Sequence, residues 1–147
     1  MNADQRAQIA KLVQTSRDAV VCSIDAQGFP NAKAMFRREN EGLRTFWFST
    51  NVSAYRTAQW QREPKACVYF MDAQGFHGLM LTGTMQVCTD AESKARIWRE
   101  GDEQYYAQGV TDPDYAVLRF AAERGNYYHG YERELFDIAA WEEHENG

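Results

Sequence analysis

Three cysteines, three prolines and three histidines in 147 residues leave this sequence short of the material for disulfide scaffolds, zinc sites or Pro-rich linkers. Cys22, Cys67 and Cys88 are odd in number, far apart and each set in an apolar run, so they read as small buried hydrophobes rather than redox or metal groups. His77 follows a turn, His129 lies in a late strand and His144 near the end, which is no zinc spacing. His129 stays open between a satisfied histidine, a proton donor and a haem ligand. Long apolar runs are missing too: no segment approaches the about 20 residues of a membrane-crossing helix. The first residues carry Asp4, Arg6 and Lys11, unlike a signal peptide. A surplus of positive charge is also lacking, with 16 Lys and Arg against 21 Asp and Glu and a net charge of −5. That speaks against a nucleic-acid surface, though not against one phosphate held by a few local cations. Gly-rich phosphate loops, nucleophile elbows and zinc-protease motifs are absent. The expectation is a cytoplasmic protein with neither membrane nor nucleic-acid partners.

What is present fits one core, and residues 1–147 read as a single domain. Aromatic residues make up 14% of the chain, enough to fill a core, line a planar ligand or bury an interface, and composition does not choose among these. Residues 4–16 have the apolar spacing of a helix. Short β-branched runs at 19–24, 30–38 and 43–49 read as strands, turning at Asp25–Gly28 and Asn40–Gly42. A helix is expected over 53–63, with Ser53 as N-cap and Pro64 as its stop. Strands follow at 65–71 and 77–87, with Gly83 marking a bulge or close backbone approach. Asp-Ala-Gln-Gly-Phe occurs twice, at 25–29 and 72–76, as turn chemistry used twice rather than a long repeat. Thr89 or Asp90 caps a helix running to about Arg99. Residues 101–114 are irregular and aromatic, 115–122 and 126–131 read as a last hairpin turning at Glu123–Gly125, and a short strand precedes an acidic tail over 139–147. About six strands with helices between hairpins make an α+β fold around an antiparallel barrel.

The most informative stretch is Trp47-Phe48-Ser49-Thr50-Asn51-Val52-Ser53-Ala54-Tyr55-Arg56, where a strand ends in a hydroxyl-rich loop leading into a helix. Free N–H groups and the positive end of a helix receive anions. Ser49, Thr50 and Ser53 can donate hydrogen bonds, and Arg56 can give a two-pronged grip. Lys33, Arg37 and Arg38 add charge nearby. A plain N-cap beside a solvated basic strand fits these residues equally well. Arg37 and Arg38 are adjacent, so they point to opposite faces of a strand and at most one serves a given site. Trp98, Tyr105 and Tyr106 either cover a planar ligand or pack in the core or an interface. Asp112-Pro113-Asp114 reads as a cap and turn rather than a metal-binding pair.

Taken together, Pro30–Met35, Phe46–Asn51 with Ser53 and Arg56, Glu63-Pro64, Leu81-Thr82-Gly83, Asp90 through Trp98, Gly109–Tyr115 and Asn126–Gly130 resemble the pyridoxamine 5′-phosphate oxidase-like superfamily. The resemblance is to its general stress protein 26-like branch and runs from about residue 10 to 138. It implies an antiparallel six-stranded split β-barrel of Greek-key type with flanking helices, a homodimer, and FMN in clefts shared by the subunits. Carried over by position, Lys33 and Arg56 meet the phosphate, with Ser49, Thr50 and Ser53 near the phosphate or ribityl chain. Backbone around Ala34 and Met35 edges the flavin ring, and Trp98 is a candidate to cover it from the partner subunit, with core or interface packing as the alternative. The implied function is a flavin-dependent oxidoreductase acting on an unknown small molecule. Tyr55 stands where the oxidases often hold a second cation, Lys33 replaces a frequent arginine, and Gly78 replaces a flavin-contacting polar side chain. No counterpart of the oxidases' substrate-phosphate residues is present near the C-terminus, so vitamin B6 oxidation itself is not implied. A non-enzymatic flavin carrier or stress-linked sensor, a barrel holding haem or the deazaflavin F420, and an empty barrel serving as an interaction module remain as alternatives.

Overall fold

In the computed structural model, which describes residues 1–147, every strand joins one antiparallel sheet. The chain runs α1 (Ala3–Thr15), β1 (Asp18–Ile24), β2 (Pro30–Phe36), β3 (Glu39–Glu41), β4 (Thr45–Asn51), α2 (Tyr55–Arg62), β5 (Lys65–Asp72), β6 (His77–Cys88), α3 (Ala91–Ile97), β7 (Tyr115–His129), β8 (Glu132–Asp137) and α4 (Ile138–Asn146). The sheet order is β2-β1-β5-β6-β7-β4-β3, with β8 also paired to β7. Strand β4 keeps β3 on one edge and on the other pairs with the first half of the distant β7, while β8 takes the second half of β7. The sheet curls until β2 returns beside β4, giving an α+β split half-barrel. Inward residues such as Val21, Phe46, Phe48, Val68, Leu81 and Phe120 form its core.

The strand count is eight rather than six. Residues 39–41, which overlap the turn read at Asn40–Gly42, pair with β4 as a short strand. The expected hairpin at Glu123–Gly125 is instead the middle of the continuous strand β7. Gly125 is needed there for close approach: a Cβ on it would lie 2.3 Å from the Phe136 ring. The reversal comes later, at Gly130, with φ of +59°. Gly83 does mark a bulge, where the register between β6 and β7 shifts and a Cβ would lie 1.9 Å from the Ala121 carbonyl oxygen.

The helix ends follow capping chemistry, with one correction. Asn2 and Gln5 form a reciprocal capping box on α1, and Asp90 caps α3 through the Ser93 N–H. Ser53 does not cap α2, whose N-cap is Ala54 with no side-chain bond. The Ser53 hydroxyl donates to Asp114 instead. The acidic tail is also helical. Ile138 and Trp141 of α4 are buried three residues apart, and Arg6 both lies over the Trp141 ring at 4.0 Å and donates to its carbonyl.

Candidate anion-binding cleft

Where β2 returns beside β4, a cleft of about 370 Å³ opens over the first turn of α2. Strand β2 supplies Lys33, Ala34 and Met35, β4 supplies Ser49 and Asn51, and α2 supplies Arg56. Alternation along the strands explains this set, since Ser49 and Asn51 are two residues apart and share a face. Thr50 points the other way, is buried, and accepts a 3.3 Å hydrogen bond from Arg56 Nη2.

The cleft leaves two polar atoms without partners. Arg56 Nε and Ser49 Oγ are both buried and make no hydrogen bond, an arrangement that folded proteins rarely tolerate at no cost. Burial pulls Arg56 below the usual arginine range, though a guanidinium remains charged at neutral pH. Neither Arg56 nor Lys33 pairs with a carboxylate.

The two adjacent arginines take different roles. Arg38 lines the cleft but is neutralised by Asp102 at 2.8 Å, with both side chains largely buried. Arg37 turns to the C-terminal end of α1, where its Nη2 donates to the carbonyls of Gln14 and Ser16 at 3.3 and 3.2 Å.

The loop between β4 and α2 is pinned from a distance. Asp114 accepts from Asn51 Nδ2 at 2.8 Å, from the Ser53 N–H at 2.9 Å and from Ser53 Oγ at 3.1 Å. The hydrogen bond from Asn51, then those from Ser53, hold its carboxyl below the usual carboxylate range. Asp112 fulfils the expected turn role by accepting from the Gln108 and Asp114 N–H groups. Tyr106 donates to the Thr50 carbonyl at 3.0 Å, and burial pushes its phenol up to about 12.

Of the residues singled out in the sequence, Lys33, Ala34, Met35, Ser49 and Arg56 meet at the cleft, and Thr50 braces Arg56 from behind. Ser53 and Trp98 do not line it. Ser53 is spent on Asp114, and Trp98 packs against Tyr106 and Tyr115 with ring centroids 6.1 and 5.2 Å away. Arg38, Tyr105 and Tyr106, which the sequence left open between this site and other roles, also line the cleft, as does Asn51, to which no role had been given. The aromatic run around Tyr105 was visible, but the Arg38–Asp102 contact that draws it to the cleft spans 64 residues.

A larger cleft of about 620 Å³ lies under α1 and contains His77 and His129. Its two histidines are engaged: Gln8 Oε1 accepts from Tyr127 and lies 2.8 Å from His129 Nδ1, and Asp72 lies 3.3 Å from His77. No group of three or more His, Cys, Asp or Glu is placed to hold a metal ion. The unpartnered atoms make the smaller cleft the better binding site. No helix is long and apolar enough to cross a membrane.

A curled antiparallel sheet with helices packed on it, and two cations without carboxylate partners at its seam, defines an α+β split-barrel protein. The family model described as pyridoxamine 5′-phosphate oxidase matches residues 6–129, and the chain belongs to that family. It is similar, at 38% identity and a TM-score of 0.86, to a Clostridium acetobutylicum protein related to general stress protein 26 of Bacillus subtilis, of the pyridoxinephosphate oxidase family. That match covers 95% of this chain and 99% of the other. General stress protein 26 of Bacillus anthracis shares the fold at 14% identity and a TM-score of 0.74, over 90% of this chain and 98% of the other. No curated protein matches the chain significantly.

Proposed function

We propose that the chain binds FMN and works as a flavin-dependent oxidoreductase on a small molecule, as a homodimer with the cofactor between subunits. The observation that carries this reading is the pair of buried, unpartnered atoms, Arg56 Nε and Ser49 Oγ, beside a lysine with no carboxylate partner. That donor set suits a phosphate monoester, which offers several acceptor oxygens and about −1.5 to −2 charge at neutral pH. In this reading Lys33 and Arg56 hold the phosphate, Ser49 donates to it, and Thr50 orients Arg56. The strand at Ala34 and Met35 walls the ring, and the Arg38–Asp102 pair keeps Tyr105 at the mouth.

When bound, FMN supplies the redox chemistry, and the protein supplies position, shielding and electrostatics. Nothing in the perturbed groups of the site argues for a separate acid–base pair. Tyr106 is pushed up to about 12 and Asp114 is held low, so neither shuttles protons at neutral pH.

The dimer is supported by what surrounds the cleft. Strand β2 is exposed from Pro30 to Ala34, and Phe36, Tyr55 and Tyr105 are exposed large side chains. A second copy lying there would cover apolar surface and exclude water from the ring. The three cysteines are free thiols, in keeping with a cytoplasmic setting.

The test is a visible absorption spectrum of the purified protein before and after adding FMN and desalting. A retained flavin spectrum is expected, and a protein that keeps no flavin would defeat the reading. Stopped-flow reduction by NADH or NADPH then decides between enzyme and carrier. Reduction no faster than that of free FMN would leave a carrier or sensor.

A further inference from the structure

Two of the three free cysteines stand side by side. Cys22 of β1 and Cys67 of β5 are register partners in an antiparallel pair. Directly opposed residues project to the same face of a sheet. Val21 and Val68, one step along each strand, are core residues, so the two thiols face away from the core. Both are half-buried, whereas Cys88 is buried. Opposed Cα atoms in such pairs lie about 4.5–5.5 Å apart, inside the ~4.4–6.8 Å span that a disulfide requires. Strand β1 is paired along both edges, to β2 and β5, and β5 is paired to β1 and β6. The spacing is therefore fixed by the sheet rather than by mobile loops.

We propose that Cys22 and Cys67 form a reversible intrachain dithiol–disulfide couple whose oxidant is a low-molecular-weight disulfide of the glutathione type. The Cys22 thiolate attacks one sulfur of the oxidant, its proton passing to solvent, and expels one glutathione thiolate. The Cys67 thiolate then attacks the Cys22 sulfur of the mixed disulfide and expels the second. The balance is two protein thiols and one oxidised glutathione giving one protein disulfide and two reduced glutathione molecules. The order follows from the surroundings. Burial, then the neighbouring Cys22 group, pushes the Cys67 thiol up to about 12, so it keeps its proton at first. In the second step the register-fixed neighbour attacks, and the Cys67 proton leaves with the departing glutathione sulfur.

This inference does not rest on flavin binding, and its test needs none. The full-length protein is equilibrated in glutathione buffers of increasing oxidation, its remaining thiols are trapped with N-ethylmaleimide under denaturing conditions, and its peptides are mapped by mass. The expected result is joint loss of alkylation at Cys22 and Cys67, a peptide pair linked through them within one chain, an alkylated Cys88, and full reversal by dithiothreitol. In Cys67→Ser the reaction should halt at a glutathione adduct on Cys22, and an unmodified Cys22 there would overturn the assigned order of attack. Wild-type protein that shows no linked peptide, only separate glutathione adducts, or a link between two chains would overturn the couple itself.

Discussion

Arg56→Met removes the half-buried guanidinium while keeping an apolar stem, and its two consequences have opposite signs. With ligand, the variant loses the hydrogen bonds that Nε and the guanidinium face would make to an anion. Hydrogen bonds to charged groups contribute about 1.5–3 kcal/mol each, so a net loss of about 3 kcal/mol is expected once imperfect geometry is allowed for. At ~1.4 kcal/mol per decade this weakens FMN binding about 100-fold. Without ligand the variant sheds a cation that has only one 3.3 Å hydrogen bond, to Thr50, and no carboxylate. Removing a half-buried charge that has no ionic partner leaves stability unchanged or slightly raised. FMN titration by fluorescence quenching and thermal melts of the flavin-free protein read the two effects separately. Riboflavin, which lacks the phosphate, supplies the control: it should bind wild type and variant alike, because the group that feels Arg56 is gone. An FMN affinity within about threefold of wild type, a difference of only ~0.7 kcal/mol, would refute the phosphate assignment. A fall in both stability and affinity would show that Arg56 acts through Thr50 as a structural brace.

Ser53→Ala and Trp98→Phe should keep FMN affinity within about threefold in the same titration, since changes away from a contact usually stay within ~0.5 kcal/mol. A much larger loss would mean that the partner subunit carries Trp98 into the site. Asp114→Ala should lower the melting temperature at neutral pH by releasing the Asn51–Ser53 loop. The folded carboxyl is held below its ordinary value of 3.8, so its stabilisation is full above that value and fades as pH falls through the lower folded one. Melts of both proteins across that range should converge on acidification, and a gap that persists unchanged would contradict the linkage. Gly83→Ala places a methyl 1.9 Å from a backbone oxygen and should cost about 3–5 kcal/mol in urea denaturation, if it folds at all. Gly125→Ala meets only the Phe136 side chain, which can turn aside, and should cost less than Gly83→Ala.

The sequence was most legible where the cause of structure is local. The short β-branched run of β1, the stop at Pro64 and the Asp25 turn each follow from a few adjacent residues, and the structure bears them out. The even repetition of Asp-Ala-Gln-Gly-Phe shows where locality ends. Asp25 and Asp72 both accept N–H groups two residues on, yet the left-handed residue is Gly28 in the first turn and Phe76 in the second. Gly125 misled for the same reason: a glycine after charged residues resembles a turn, but here it makes room for Phe136, which is distant in the chain until β8 folds back. The acidic tail hid a helix because its charges mask two anchors, Ile138 and Trp141. In the cleft, the residues contributed by β2, β4 and α2 could be picked out by type and spacing. The Asp114 clamp could not, because its partners lie 61 and 63 residues away.

The balance of charge at the seam explains how a chain of net charge −5 can still select an anion. Four cations lie between residues 33 and 56 on β2, α2 and the link after β2: Lys33, Arg37, Arg38 and Arg56. The alternation of an extended chain sends Arg37 to the far side, where it meets the carbonyl end of α1, a helix with no basic residue of its own in the last turn. Arg38 stays on the cleft side, but Asp102 cancels its charge while drawing the Tyr105–Tyr106 segment against β4. One adjacent pair thus anchors a helix on one face and an aromatic wall on the other. Lys33 and Arg56 are left without carboxylate partners at an opening whose one carboxylate, Asp18, is solvent-exposed at the rim and 4.0 Å from Arg17. Net charge averages over the whole surface and misses this, whereas the ligand would meet only the cations that the fold has left unpaired.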